Sequence, residues 1–186
     1  ERVSLELKNN KFIINTENYE ALLQSQGAKD FPIIPDVKNK NNFFEIDIEI
    51  LKEGLSNTII ATQYSEIRPE ISGVFLNISG VDGLMLVATD GFRLSKKTIN
   101  PASFKTEMEE TSVIIPLKTA AEVLRIFKQE EGKIKVFIES NQIVFETIST
   151  KLTSHLIDGK FPEYESVIPK ATPTEITVER EELVNA

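Results

Sequence analysis

The stretch LMLVATDGFRLS, residues 84–95, decides the fold of the region around it. An apolar run ends at Thr89, an Asp90-Gly91 pair follows, and a second strand-like run starts at Arg93. Since Asp-Gly favours the positive backbone dihedrals of a two-residue turn, the pattern predicts a β-hairpin centred on this pair. The turn explains Asp90 and Gly91, but it gives no structural reason for Phe92 and Arg93 directly behind it.

The hairpin belongs to a longer unit of one strand, one helix and three strands. The strand is predicted at residues 43–47, and a helix follows with Ile48, Leu51, Leu55 and Ile59 on one face. The three further strands are predicted at residues 73–79, 84–89 and 93–99.

The same order of elements occurs a second time. A strand is predicted at residues 112–115, and Pro116 opens a helix. Three alternating strands follow at residues 133–139, 142–148 and 151–157, and residues 100–111 are predicted to be a polar crossover. The apolar stripe of the second helix is predicted to be Leu117, Ala120, Ala121, Leu124 and Phe127. Two such units predict an α+β fold with both helices on one side of antiparallel sheets.

A longer repeat divides the chain into parts of three domains. Phe31-Pro32 recurs as Phe161-Pro162, an offset of 130 (161 minus 31), and the same offset carries residues 45–49 onto 175–179. The hairpin sequence of residues 3–15 also matches residues 134–146. The pattern predicts the end of one copy at residues 1–36, closing near Pro35, and a complete copy at 42–169. A third copy is predicted at 174–186, stopping where a helix should begin.

Composition restricts the class of protein. The 186 residues include 40% hydrophobic and 27% charged residues, which is typical of a globular protein. No apolar run is long enough for a membrane span, and the absence of cysteine excludes disulfides and thiolate zinc sites. The net charge of −8 argues against a protein that coats nucleic acid with a wholly basic surface.

The polar sides of the two helices nevertheless carry cations. Lys118, Arg125 and Lys128 lie on the polar side of the second helix with only Glu122 among them, and the first helix offers Lys52. These side chains form either a solvated helix face or a surface that faces a polyanion.

Enzymatic chemistry finds little support in the sequence. The glycines form neither a phosphate-binding loop nor a dinucleotide fingerprint, and the one histidine, His155, is predicted on the solvent side of a strand. Asp90 is a turn former that bonds its own backbone. The alternative, a hydrolase that uses Asp90 as an acid, predicts an activity that is lost on Asp90→Asn. We expect no catalytic residue, no metal site and no cofactor.

Apolar residues at several turns predict a groove. Ile71, Phe92, Leu94, Pro162 and Val167 all lie at or beside turns. If these turns converge at a domain junction, they form either a groove for a short peptide, with arginines at its rim, or a hydrophobic contact between adjacent domains.

Three stretches carry a resemblance to a known family. VATDGFRLS at 87–95, PLKTAAEVLRIF at 116–127 and DGKFPEYESVIP at 158–169 resemble the bacterial DNA sliding-clamp family, the beta subunits of replicative DNA polymerase III. The resemblance spans essentially the whole chain. It implies a cytoplasmic, head-to-tail homodimeric ring of three similar domains per chain, with helices lining a hole filled by duplex DNA and sheets outside.

The resemblance also implies partners and sites. The partners are duplex DNA, bound without sequence preference, the DNA polymerase III alpha subunit, the clamp loader, and repair and other proteins whose linear motifs carry a glutamine and a Leu-Phe pair. The cleft that receives these motifs is carried over onto Arg68, Ile71, Thr89, Gly91, Phe92, Arg93, Leu94, Pro162 and Val167. The DNA-facing residues are Lys52, Lys118, Arg125 and Lys128.

Two positions depart from the family pattern. Phe92 stands where many relatives have histidine, and Ser166 stands where arginine is frequent. They change the polar part of partner selectivity and leave the apolar anchor. Since both outer domains are incomplete, the chain is expected to be a monomer. The other reading of the repeats is a tandem-domain, β-rich ligand-binding or adhesion module without DNA function.

Overall fold

A computed structural model describes residues 2–31, 36–79, 82–171 and 173–186, with Asp30 described by its backbone alone. The chain divides into two compact units, residues 1–36 and 37–186. The first unit is an antiparallel sheet of β1 (Ser4–Lys8), β2 (Lys11–Asn15) and β3 (Glu20–Gln24). Asn9 and Asn10, both with positive φ, form the turn of the predicted hairpin. The predicted end of this copy near Pro35 lies outside the described residues.

The second unit contains the two predicted repeats. The first repeat is β4 (Phe43–Asp47), α1 (Ile48–Ile59), β5 (Gly73–Ser79), β6 (Gly83–Thr89) and β7 (Leu94–Ile99). A short strand β8 (Phe104–Thr106) connects it to the second repeat. The second repeat is β9 (Thr111–Pro116), α2 (Leu117–Ile126), β10 (Lys133–Ile138), β11 (Gln142–Glu146) and β12 (Lys151–His155). This is an α+β fold of antiparallel sheets, as the sequence predicts.

Each repeat gives its first strand to the sheet of the other. One sheet has the order β12-β11-β10-β4-β8, and the other has the order β7-β6-β5-β9. Thus β4 pairs with β10 through Ile134 and Ile46, and β9 pairs with β5 through Phe75 and Ile114. Because neither repeat completes its own sheet, the two repeats form one interlocked core.

The two helices cover the inner faces of both sheets. Ile48, Leu51 and Leu55 of α1 are buried in the same cluster as Leu86 of β6 and Phe127 at the end of α2. Asp47 caps α1 by accepting a hydrogen bond from the Glu49 amide at 3.0 Å. Gly54 allows α1 to lie close to the sheet, because a β-carbon there would lie 2.7 Å from Leu86 Cδ1.

Two sequence expectations about the second repeat are wrong. Ala121 is exposed and does not belong to the apolar stripe, whereas Thr119 and Val123 are buried; Ala120 and Phe127 are buried as predicted. Residues 100–111 are not simply a polar crossover, since they contain β8 and bury Phe104 and Met108. A three-residue strand is too short to leave an alternating pattern in the sequence.

The segment predicted to begin a third copy contains a helix and no strand among its described residues. α3 (Arg180–Asn185) begins near the expected position, and the described residues between 170 and 179 form no strand. A strand needs a hydrogen-bonded partner, and no described residue pairs with this segment. Among the described residues, no helix is both long and apolar enough to cross a membrane.

Candidate functional site

The loop between β6 and β7 differs from the predicted two-residue turn. The last paired residues are Thr89 and Leu94, so the loop has the four residues 90–93. Gly91 has φ of 90°, while Asp90 is not among the residues with positive φ. The prediction of a two-residue turn is therefore wrong, because side-chain hydrogen bonds stabilise a wider loop.

Asp90 and Thr89 hold this loop together. The Asp90 carboxylate accepts hydrogen bonds from the amides of Phe92 and Arg93, both at 3.0 Å, and from Arg93 Nε at 2.9 Å. The Arg93 amide and then the Phe92 amide are the main causes that lower the pKa of Asp90. The Thr89 hydroxyl accepts from the Gly91 amide at 3.1 Å and donates to the Arg93 carbonyl at 2.8 Å.

Phe92 lies in this hydrogen-bonded loop, but its side chain does not pack against the fold. Its side chain is 99% exposed at the tip of the loop, whereas Asp90 is occupied by three donors. An exposed phenylalanine on a loop held by its neighbours is typical of a binding surface. The same geometry favours the turn role of Asp90 over that of a catalytic acid.

The segment after β12 lies on the outer face of the four-stranded sheet. Phe161 is buried and stacks on Phe75, with ring centroids 4.9 Å apart. It forms a cluster with Val87 and Ile114, and Leu94 packs against this cluster from the edge strand β7. The chain that follows residue 157 is therefore anchored beside the β6–β7 loop.

Tyr164 strengthens this anchor. Its hydroxyl donates to Met85 Sδ at 3.2 Å, and the ammonium of Lys96 lies 5.5 Å from its ring centroid. Burial, followed by the nearby Glu165 charge, raises the pKa of the Tyr164 hydroxyl. Lys96 also lies 3.8 Å from the Glu165 carboxylate, so β7 and the 3-10 turn Tyr164–Val167 are linked twice.

A third segment lies beside the chain that follows β12. The 3-10 turn Pro69–Ile71 buries Ile71 to 5% exposure, and Arg68 Nε lies 3.1 Å from the Glu70 carboxylate. A β-carbon at Gly159 would lie 3.4 Å from that of Glu70, which places this turn beside the segment after β12.

The predicted cleft residues thus lie on three neighbouring segments. Gly91, Phe92 and Arg93 share one loop, between Thr89 at the end of β6 and Leu94 at the start of β7. Pro162 follows the buried Phe161, and the exposed Val167 ends the adjoining 3-10 turn. Sequence reasoning missed the residues that hold these segments together: Phe75, Met85, Lys96, Phe161 and Tyr164. The outward positions of alternating strands were the available signal for the first three.

The predicted DNA-facing cations divide into paired and unpaired groups. Lys52 Nζ lies 2.6 Å from the Glu49 carboxylate and 3.2 Å from the Lys128 carbonyl, so it ties α1 to the end of α2. Arg125 pairs with Glu122 at 2.7 Å, and this contact raises the pKa of Arg125. Lys118 and Lys128 are exposed and form no ion pair with any described residue.

Comparison with known proteins gives a single family. Residues 45–163 match the family described as the central domain of the DNA polymerase III beta subunit. The beta sliding clamp of Chlamydia muridarum is 34% identical in an alignment of 167 positions that covers 88% of this chain and 43% of the relative. The beta sliding clamp of Bacillus subtilis is 28% identical in an alignment of 188 positions that covers 99% of this chain and 48% of the relative.

Solved structures show the same fold. The sliding clamp of Bacillus subtilis superposes with a TM-score of 0.87 at 28% identity, covering 99% of this chain and 48% of that one. A Pseudomonas aeruginosa sliding clamp bound to griselimycin has a TM-score of 0.82 at 26% identity, covering 92% and 45%. The chain spans somewhat less than half the length of these relatives.

Proposed function

This chain belongs to the DNA polymerase III beta subunit family, and on that premise we propose that it is part of a processivity clamp. The complete protein forms a ring around duplex DNA and tethers the replicative polymerase, the clamp loader and repair proteins. Its role is to hold and not to catalyse. The match of residues 45–163 to the family's central domain carries this proposal, and it favours the clamp over an adhesion module.

The charges of the second unit support a DNA-facing helix layer. Lys118 and Arg125 are exposed on α2 and Lys128 is exposed just after it, on the side of the unit opposite the outer sheet faces. Because Lys52 is paired with Glu49, the positive charge of this helix layer comes mainly from α2 and the turn after it. This charge is modest. A modest charge suits a ring, because topological closure retains DNA without strong phosphate contacts and weak contacts leave sliding fast.

The partner-binding cleft is proposed at the three converging segments. Phe92 and Val167 offer exposed apolar surface, and Leu94 forms the floor between them and the Phe161 cluster. Arg68 and Arg93 stand at the rim, each beside a carboxylate, so their guanidinium groups remain oriented. Ile71 contributes only an edge, because it is already packed inside the unit.

A peptide with a glutamine and a Leu-Phe pair tests the cleft. We expect the 186-residue chain to bind it, with NMR shifts at residues 89–94 and 162–167. Phe92→Ala removes an exposed contact without disturbing the core and is expected to weaken binding by about 1 to 2 kcal/mol. Leu94→Ala is less informative, since Leu94 also stabilises the Phe161 cluster.

The matched control is Ile148→Ala. Ile148 is an equally exposed apolar residue on the loop between β11 and β12, outside all three cleft segments. The peptide affinity of this variant should equal that of the parent chain. Shifts confined to α2, or equal losses for both variants, would show that the cleft lies elsewhere.

A further inference from the structure

A second groove lies on the outer face of the four-stranded sheet. Its volume is about 1050 Å³, at the upper end of the range for ligand sites. Asn77, Met85 and Ser112 form its floor, and Phe75 and Tyr164 line one side. The loop at residues 140–141 and the segment 156–160 form the other side.

The register of the sheet offsets the floor of this groove from the proposed cleft, and the two sites share Pro162 along their common border. Residues that pair across the strands form rows on the outer sheet face. Thr89 and Leu94 form the row at the cleft. Phe75 and Val87 form the next outward-facing row, and the Phe161 ring stacks on Phe75 there. Asn77 pairs with Met85 one row further on. The Phe161 and Tyr164 rings therefore stand between the cleft on one side and the groove floor on the other.

The rim of the groove carries unbalanced negative charge. Two of its carboxylates have partners, because Glu163 lies 2.8 Å from Lys160 and Glu165 lies 3.8 Å from Lys96. Asp82, Glu110 and Asp158 also line the groove, and none of the three forms an ion pair with a described residue. Such a field repels DNA and attracts lysine or arginine side chains.

The floor of the groove can bind the backbone of an extended peptide and the apolar parts of its side chains. Asn77 donates to Ser112 Oγ at 3.0 Å, which orients the amide, and its side-chain oxygen, which accepts from no described residue, can accept a hydrogen bond from a peptide backbone. The aromatic rings and the Met85 thioether provide apolar surface for the methylene stems of long cationic side chains.

We propose that this groove is a docking site for a basic, extended segment of a partner protein. The cationic side chains lie against Asp82, Glu110 and Asp158, and the segment crosses Asn77 and Met85. This site goes beyond the peptide cleft of the proposed function, which has apolar exposed residues and arginines at its rim. One partner with two segments could occupy both sites at once and gain avidity.

The two methionines of the chain provide a direct assay. Met85 lies on the groove floor, whereas Met108 is buried in the main core, so ¹³C-methyl NMR reads the groove and an internal control together. The probe is the peptide Arg-Leu-Arg-Leu-Arg-Leu, with Glu-Leu-Glu-Leu-Glu-Leu as its charge-reversed counterpart. We expect the basic peptide to shift the Met85 methyl signal and leave Met108 in place, and the acidic peptide to shift neither.

Charge variants test whether the rim carboxylates are responsible for binding the basic peptide. The triple variant Asp82→Asn, Glu110→Gln, Asp158→Asn is expected to weaken basic-peptide binding about ten-fold, since each exposed ion pair contributes a factor of roughly two to the affinity. The matched control, Glu66→Gln, Glu107→Gln, Glu131→Gln, makes the same change in net charge at exposed residues of the same unit that do not line the groove. It should retain the parent affinity.

The outcomes separate this proposal from the cleft. Phe92→Ala should leave the Met85 response to the basic peptide unchanged while weakening binding of the clamp-motif peptide. Equal loss of affinity in both charge triples would show nonspecific attraction and overturn the proposal. A Met85 shift that depends on protein concentration without peptide would assign the groove to a second copy of the chain, and no shift at saturating peptide would also overturn it.

Discussion

At the residue scale, the carboxylate of Asp90 determines the conformation of the β6–β7 loop and the exposure of Phe92. Asp90 accepts hydrogen bonds from the amides of Phe92 and Arg93 and from the Arg93 guanidinium. These bonds stabilise a loop of four residues in which the Phe92 side chain is exposed. The Asp-Gly pair predicted a turn, but its width depends on hydrogen bonds that a two-residue signal does not encode.

The lowered pKa of Asp90 gives a pH prediction. Because the folded pKa lies below the unfolded value of about 3.9, the carboxylate stabilises the fold above that value, and the contribution is lost as the pH falls through the folded pKa. Asp90→Ala should remove this pH-dependent part of the free energy of unfolding, as measured by urea titration from pH 2 to 6. Asp90→Asn should also abolish the pH dependence, yet keep an acceptor for the two amides. An unchanged acid profile in Asp90→Ala would contradict the assignment.

At the element scale, the sequence predicted the strands and helices well and their partnerships poorly. Alternation and helical spacing located strands such as Gly73–Ser79 and both long helices, because these periods reflect local burial. The exchange of β4 and β9 between the repeats is a long-range pairing that no local pattern contains. The α2 stripe was misassigned at one position, because Ala121 and Ala120 read alike in sequence although only Ala120 is buried.

The same limit applies to the candidate site. Motif matching suggested Phe92, Leu94 and Pro162, but the anchoring of their segments depends on Phe161 stacking on Phe75 from 86 residues away (161 minus 75). Contacts of this kind follow from the sheet topology, which becomes visible only in the folded chain.

The contact between α1 and the sheet gives a stability prediction. Gly54→Val would place side-chain atoms against Leu86 and Ile99, and overpacking of this kind is expected to lower the free energy of unfolding by about 1 to 3 kcal/mol. Ser56→Val, on the exposed face of the same helix, should change it by about 0.5 kcal/mol or less. Chemical denaturation of both variants checks the difference, and equal effects would mean that helix propensity and not packing sets the cost.

At the scale of the whole molecule, the second unit presents two faces of different charge. The helical side exposes Lys118 and Lys128, while the groove on the outer sheet face carries three carboxylates that form no ion pair within the described part of the chain. The net charge of −8 is therefore compatible with DNA on one side only. Such a division suits a clamp that holds DNA by closure and recruits proteins on its outside.

Under the proposed function, the clamp is retained on DNA by ring closure, and its direct contacts with DNA through α2 are weak. The most direct measurement is the affinity of this chain for linear duplex DNA as a function of salt. We predict a dissociation constant of about 10⁻⁴ M or weaker at physiological salt. Replacing Lys118, Arg125 and Lys128 with glutamine should lower the salt slope by about 2 to 3. The same replacement at Lys105, Lys133 and Lys135, on the outer face of the five-stranded sheet, should leave it unchanged. Nanomolar binding at physiological salt, or equal effects of the two triple variants, would contradict the account.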